Sequence, residues 1–144
     1  MIAVFDTSVL LASLLASHPH NARAMTGVNE ARSERVKGCV AATAFMELYA
    51  VLTRLPVSPR IGPDAAHRMI RGNVLGNFEI VALTSREQTR LVDAVAELAI
   101  TGGSTYDAIH AATARKAKAE RLYTFNVDDF RRVAPDLVSI IVAP

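Results

Sequence analysis

Carboxylates beside apolar runs are the residues of this sequence best suited to chemistry. They occur in four short motifs spread over the chain, namely Phe5-Asp6-Thr7-Ser8, Phe45-Met46-Glu47-Leu48, Tyr106-Asp107-Ala108 and Asn126-Val127-Asp128-Asp129-Phe130. A carboxylate that loses water without gaining a partner either takes up a proton or requires a cation. If the four motifs meet in space, their oxygen atoms therefore predict a metal site.

The ligand types indicate which metal and which reaction such a site would serve. Oxygen ligands favour Mg²⁺ or Mn²⁺, because zinc prefers His and Cys, and none of the four His residues shows zinc-ligand spacing. A bound ion of this kind suits phosphodiester hydrolysis, since it lowers the pKa of a bound water and polarises the phosphoryl group. The number of ions is left open by the sequence.

Each carboxylate also has a purely structural explanation. Those of the first, third and fourth motifs fall near helix starts, where capping or the helix dipole favours an anion. Glu47 fits this explanation less well, because it is the only charged residue between positions 38 and 52. His110, one turn after Asp107, is interpreted either as a packed helix residue or as a group that orients Asp107.

Alternating strands and helices are predicted to position these motifs. The strands are predicted at Ile2–Phe5, Gly38–Ala42, Phe78–Leu83, Arg121–Thr124 and Leu137–Val142. The helices are predicted at Val9–Leu15, His20–Glu34, Thr43–Arg54, Pro63–Gly72, Thr89–Ile100, Ser104–Ala119 and Asp128–Val133. This alternation predicts an α/β fold with a mainly parallel sheet. Ligands collect at the carboxyl ends of such strands, so the motifs are expected to converge at one edge.

Local signals predict helix caps and one amphipathic face. Ser8 and Thr43 are predicted caps, and Thr84 or Ser85 with Glu87 is predicted to cap the fifth helix. Along that fifth helix, one apolar face is predicted to consist of Leu91, Val95, Leu98 and Ala99.

The bulk composition predicts one globular domain, 1–144. The length of 144 residues fits a single core, and 51% hydrophobic with 21% charged residues is typical of a folded chain. The only cysteine, Cys39, is predicted to be a small buried apolar residue, and it leaves no partner for an internal disulfide. The first residues lack the features of a signal peptide or a membrane span, so we predict a cytoplasmic protein without a membrane partner.

Histidine and basic residues predicted at the surface indicate function less clearly than the carboxylates do. His18 and His20 flank Pro19 and are predicted to lie on the surface. Basic residues form two groups, Arg54, Arg60, Arg68 and Arg71, and then Arg115, Lys116, Lys118, Arg121, Arg131 and Arg132. With a pI of about 9.0, they are interpreted either as solvated helix faces or as a rim that contacts phosphates around the acidic centre.

Taken in order, the four motifs resemble those of the PIN-domain ribonucleases and, among these, the VapC toxins. The resemblance extends from Ile2 to about Ile141 and rests on a strand-end Asp-Thr-Ser, a helical Glu, Tyr-Asp-Ala-x-His-Ala-Ala and Thr-x-Asn-x-x-Asp-Phe. It implies a PIN-like three-layer α/β/α fold with a mainly parallel central sheet. It also implies endonucleolytic cleavage of RNA with Mg²⁺ or Mn²⁺, a homodimer, and inhibition by a cognate VapB-type antitoxin.

The resemblance assigns four catalytic and metal-binding carboxylates by position. Asp6 and Asp107 match the metal ligands, and Glu47 matches the acidic residue that helps to hold the ion or its water. Asp129 is preferred over its neighbour Asp128 as the fourth carboxylate.

Three polar residues are expected to support these carboxylates. Thr7 and Thr124 are predicted to supply hydroxyl groups that maintain the geometry of the site. Asn126 is predicted to be a neutral polar contact, at a position where some members of the family have an acidic residue.

Other functions remain alternatives. A HAD-like phosphatase also places an Asp after its first strand, but that class expects a second Asp two residues later, where this chain has Ser8. A receiver-like phospho-acceptor would need an acidic pair before the accepting Asp. A PIN-like domain that binds RNA or protein without cutting would typically lose acidic residues, whereas all four positions can be filled here.

Overall fold

The computed structural model describes the whole chain, Met1–Pro144, as strands and helices in alternation. The strands are β1 (Ile2–Phe5), β2 (Lys37–Ala41), β3 (Glu79–Val81), β4 (Arg121–Tyr123) and β5 (Ile141–Val142). The α-helices are α1 (Thr7–Leu14), α2 (Asn21–Arg32), α3 (Ala44–Arg54), α4 (Pro63–Ile70), α5 (Ser85–Glu97), α6 (Ser104–Ala117) and α7 (Val127–Val133). A π-helical turn, Arg71–Leu75, continues α4, and a 3₁₀ turn, Pro135–Leu137, precedes β5.

The five strands form one parallel sheet in the order β3-β2-β1-β4-β5. The chain moves from β1 to one side through β2 and β3, and then returns to the other side through β4 and β5. The order therefore reverses between β1 and β4, where Val4 pairs with Leu122 and Phe5 with Tyr123. Ligand sites of open α/β sheets form at such a switch point, outside the carboxyl ends of the strands.

Two apolar cores hold helices against the two faces of the sheet. Alternate side chains of a strand point to opposite faces, so Ala3 and Phe5 join the core formed with α1, α2, α3 and α4. Val4 points the other way, into the core formed with α6 and α7, where Phe130 is fully buried. This arrangement confirms the predicted three-layer α/β/α fold with a parallel sheet. Cys39 is buried, as predicted.

Strand lengths differ from the prediction at the edges of the sheet. The fifth strand is predicted from Leu137 but begins only at Ile141, because residues 135–137 form a 3₁₀ turn and residues 138–140 a further turn. The third strand is limited to the three residues that pair with β2, which itself ends at Ala41.

Helix starts confirm some predicted caps and correct others. Thr84 and Glu87 form a capping box at α5, as expected. The first helix begins at Thr7 rather than after Ser8, so the predicted cap by Ser8 is wrong. Thr43 occupies the cap position of α3, but its side chain makes no capping hydrogen bond.

The predicted apolar face of α5 is only partly correct. Leu91 and Val95 are half-buried, whereas Leu98 and Ala99 are exposed. The helix ends at Glu97, and Ala99 adopts a left-handed conformation with a φ of 53°, so the last two residues leave the helical face. None of the helices combines the length and the apolar character that a membrane crossing requires.

Candidate active site

The carboxylate of Asp6 lies at the switch point, where β1 ends and α1 begins. Asp6 occupies the cap position of α1, but its side chain makes no capping hydrogen bond and is only 3% exposed. Its Oδ2 atom instead accepts hydrogen bonds from Ser8 Oγ at 2.6 Å and Thr124 Oγ1 at 2.9 Å. The structural explanation of Asp6 as a side-chain cap is therefore wrong. The hydroxyl of Thr124 contacts Asp6, as predicted.

His110 connects the carboxylates of the first two motifs. This residue of α6 is buried, and its Nε2 lies 3.3 Å from Glu47 Oε2 and 3.5 Å from Asp6 Oδ1. Thr7 Oγ1 donates to the same Glu47 oxygen at 2.8 Å, as expected for a supporting hydroxyl. His110 is thus a packed residue that also positions two of the predicted carboxylates.

The charges of this buried cluster stabilise one another. Burial opposes ionisation of Glu47, but hydrogen bonds from His110 and Thr7 place its pKa below the ordinary value. Burial likewise opposes protonation of His110, yet the hydrogen bond to Glu47 and the charge of Asp6 raise its pKa. The contacts of His110 with Asp6 and Glu47 therefore favour the protonated form of the ring and the ionised form of Glu47.

Asp107 belongs to the same centre but lacks a partner. It lies in the first turn of α6, one turn before His110, and its side chain makes none of the hydrogen bonds of this site. Burial and the neighbouring charge of Asp6 raise its pKa to about 6, against the opposing effect of His110. Asp107 is therefore the carboxylate that the metal-free site stabilises least.

The fourth motif lies at the rim of the site rather than in it. The side chain of Asp129 is 53% exposed and pairs with Arg132 at 3.0 Å, although its charge also contributes to the raised pKa of Asp107. Asp128 is exposed as well. Asn126 is exposed, and its backbone N–H, rather than its side chain, donates to Thr124 Oγ1 at 3.0 Å. The structure thus joins three of the four motifs closely.

Comparisons with known proteins agree with this geometry. The family model described as PIN domain matches residues 3–135. The chain is 37% identical over 117 residues to Ribonuclease VapC40 of Mycobacterium tuberculosis, an alignment that covers 81% of each protein. The chain belongs to the PIN-domain family of VapC ribonucleases. This membership excludes the HAD-like and receiver-like alternatives.

Solved structures support the fold of this PIN domain. VapBC2 from Rickettsia felis, solved bound to a DNA fragment from its promoter, is similar with a TM-score of 0.70 at 16% identity, over 99% of this chain and 98% of that chain. A toxin-antitoxin complex from Klebsiella pneumoniae gives a TM-score of 0.66 at 20% identity, over 99% and 97% of the two chains.

The donor set of the PIN domain fits a divalent cation, although it is not arranged around one. No three of its His, Cys, Asp and Glu side chains form a group that could hold a metal ion as they stand. Glu47 Oε1 is buried without any hydrogen-bond partner, and Asp107 has a raised pKa. Carboxylate oxygens that lack partners are ligands that Mg²⁺ and Mn²⁺ prefer.

Two polar residues of this PIN site make contacts that the sequence does not predict. Ser8, expected as a helix cap, donates to Asp6 through its hydroxyl. His110 is a packed residue, one of its two predicted interpretations, and it contacts Asp6 and Glu47 rather than orienting Asp107. The spacing of Asp107 and His110 placed both on one face of α6, but only the packing of α6 against β1 determines which groups they meet.

Proposed function

We propose that this PIN domain is the endoribonuclease toxin of a toxin-antitoxin pair and hydrolyses RNA phosphodiester bonds with Mg²⁺ or Mn²⁺. The observation that carries the proposal is the convergence of Asp6, Glu47 and Asp107 at the switch point of a VapC-family chain. Carboxylates that lose water at such a site need a cation or a proton, and a divalent cation supplies the chemistry of phosphodiester hydrolysis.

In this proposal, Asp6, Asp107, Glu47 and Asp129 hold the cation. When bound, the cation lowers the pKa of a water molecule and neutralises charge on the phosphate. The protein's own contribution is positional, because Ser8 and Thr124 fix the carboxylate of Asp6. Asp129 reaches the site only if its side chain leaves Arg132, with which it is now paired.

The proposal is tested by incubating the purified protein with total cellular RNA in EDTA, Mg²⁺ or Mn²⁺. We expect fragments with either cation, none in EDTA, and recovery of cleavage when Mg²⁺ is added in excess over EDTA. RNA that stays intact under all conditions would favour the alternative of a non-catalytic PIN domain that only binds. If the RNA is cleaved, mapping the new RNA ends would identify the target, which no motif of the chain reveals.

The proposed partner is a cognate VapB-type antitoxin. The similarity to VapBC2 and to a toxin-antitoxin complex supports this partner. Co-purification with the product of the neighbouring reading frame, with inhibition of RNA cleavage as the readout, tests it. The predicted cytoplasmic location agrees with RNA as the substrate and stays a prediction.

The proposed homodimer has a candidate surface on α5. Arg86, Arg90, Asp93 and Glu97 are exposed, lie at helical spacing on one face, and form no ion pair within the chain. The N-terminal half of this stripe is basic and the C-terminal half acidic. Two antiparallel copies related by a two-fold axis would therefore set Arg86 against Glu97 and Arg90 against Asp93.

A charge-reversal experiment tests this dimer surface. We expect the double variants R86E/R90E and D93R/E97R to shift toward monomer. All four residues of the stripe then carry the same charge, so two copies of one variant repel each other. An equimolar mixture should restore the dimer as a heterodimer of acidic and basic stripes, measured by analytical ultracentrifugation. Dimers that persist in both separate variants would show that α5 is not the interface.

A further inference from the structure

Beside the acidic centre, the surface carries a stack of planar side chains. The ring of His20, just before α2, stacks on the ring of Phe125, just after β4, with centroids 4.5 Å apart and planes 19° apart. Phe125 is half-buried, whereas His20 is exposed. The sequence predicts a surface position for His20 but gives no sign of this pairing, because the two residues are far apart along the chain.

Hydrogen bonds hold the backbone at both ring residues. The N–H of His20 donates to Nδ1 of His18 at 3.1 Å, and the carbonyl of His20 accepts from Ala24 at 2.9 Å. The N–H of Phe125 donates to Ser8 Oγ at 3.2 Å. The same hydroxyl donates to Asp6, so the stack is joined to the acidic centre through a single serine.

A cation accompanies the stack. The guanidinium carbon of Arg23 lies 5.7 Å from the centroid of the Phe125 ring, and its Nε donates to the backbone oxygen of Pro144 at 3.1 Å. Arg23 forms no ion pair with an Asp or Glu side chain. Its remaining N–H groups are therefore available to an anionic ligand such as a phosphate.

Planar rings next to an arginine bind unpaired nucleotides well. An unstacked base lies on an aromatic face, while the arginine neutralises the backbone. A base inside a duplex is already stacked on both sides and cannot use such a platform. The geometry of His20, Phe125 and Arg23 thus favours a single-stranded segment over a paired one.

We propose that the exposed ring of His20, supported by Phe125 and flanked by Arg23, stacks on an unpaired base of the RNA beside the phosphate to be cleaved. This inference rests on the proposed ribonuclease function and adds a base-binding site to it.

The test measures binding of two fluorescein-labelled probes by anisotropy, with EDTA present so that the RNA stays intact. One probe is a 12-nucleotide oligoadenylate, and the other has the same phosphates but abasic riboses. We expect His20→Ala to weaken binding of oligoadenylate about 5-fold or more, and to leave binding of the abasic probe unchanged. His20→Tyr should retain the affinity, because a tyrosine also offers a planar face.

His67→Ala is the matched control, since His67 is an exposed histidine on α4, outside the stack. Equal loss on both probes in His20→Ala, or no loss on either, would overturn the base-binding site. A melting temperature measured for each variant separates a binding effect from a loss of folding, and His20→Tyr tests the stack if His20→Ala is unstable.

The cleavage assay separates this inference from the proposed function. If the wild-type protein cleaves RNA with Mg²⁺ and His20→Ala leaves both affinity and KM unchanged, only the base-binding site is wrong. If the wild-type protein neither binds nor cleaves RNA, the proposed function fails, and the base-binding site fails with it.

Discussion

Replacing Asp6 by Asn should lower metal-dependent RNA cleavage by at least about 100-fold. Changes to residues that only support metal ligands typically cost 10- to 100-fold, so a direct ligand should cost more. The amide keeps the shape of the carboxylate in its buried position and removes only the negative charge. Initial cleavage rates at saturating Mg²⁺ measure the effect, and a melting curve establishes that the variant is folded.

Asp64→Asn is the matched control for this prediction. Asp64 is an exposed aspartate at the start of α4 and forms no ion pair, so its replacement should leave the cleavage rate unchanged. A folded Asp6→Asn variant with wild-type activity would contradict the assignment of Asp6. The same assay applied to Asp128→Asn and Asp129→Asn decides between these neighbours, because only the loss of a ligand should reduce cleavage.

The position of β1 could be predicted because this central strand is buried on both faces. Ala3, Val4 and Phe5 are all fully buried, and such continuous apolar runs differ in sequence from the amphipathic helices between them. The late start of β5 could not be predicted in the same way. Residues 137–140 are apolar enough for a strand, yet they lie in a 3₁₀ turn and the turn that follows it.

Local sequence patterns predict one part of the site, and long-range packing determines the rest. The convergence of Asp6 and Asp107 could be predicted because each lies at a strand end or helix start, where the topology collects ligands. The link from His110 to Asp6 and Glu47 could not, because it depends on how α6 packs against β1 and α3. The exposed position of Asp129 has a local cause, since Arg132 lies three residues further along the same helix.

The three buried or half-buried carboxylates of this site differ in their partners. His110 contacts Asp6 and Glu47, whereas Asp107 has no hydrogen-bond partner and a raised pKa. A bound divalent cation would supply the charge that Asp107 lacks. The stability of the fold should therefore depend on Asp107 in opposite directions with and without metal.

We expect Asp107→Asn to raise the melting temperature of the metal-free protein above pH 6. The pKa of Asp107 is about 6 in the folded protein, against an ordinary value of 3.8, so the folded state retains a proton that the unfolded chain releases. Ionisation of Asp107 therefore costs stability as the pH rises from about 4 to about 6. Asn carries no charge, so the variant avoids this cost.

The gain should disappear below about pH 4, where the folded and unfolded wild-type chains both carry the proton. Partial exposure of Asp107 screens the repulsion, so we expect a rise on the order of 1 kcal/mol, or about 3 °C, in EDTA at pH 7.5. Asp64→Asn, measured in parallel, should show no such pH-dependent gain.

Adding Mg²⁺ should reverse the order of the two melting temperatures at pH 7.5. The wild-type protein gains stability as the ion binds its folded state, and the variant gains less because it lacks one ligand charge. A variant that is no more stable than the wild type in EDTA, or that gains equally from Mg²⁺, would contradict this assignment. Asp107 would then be a half-buried residue of α6 rather than the carboxylate that the cation stabilises.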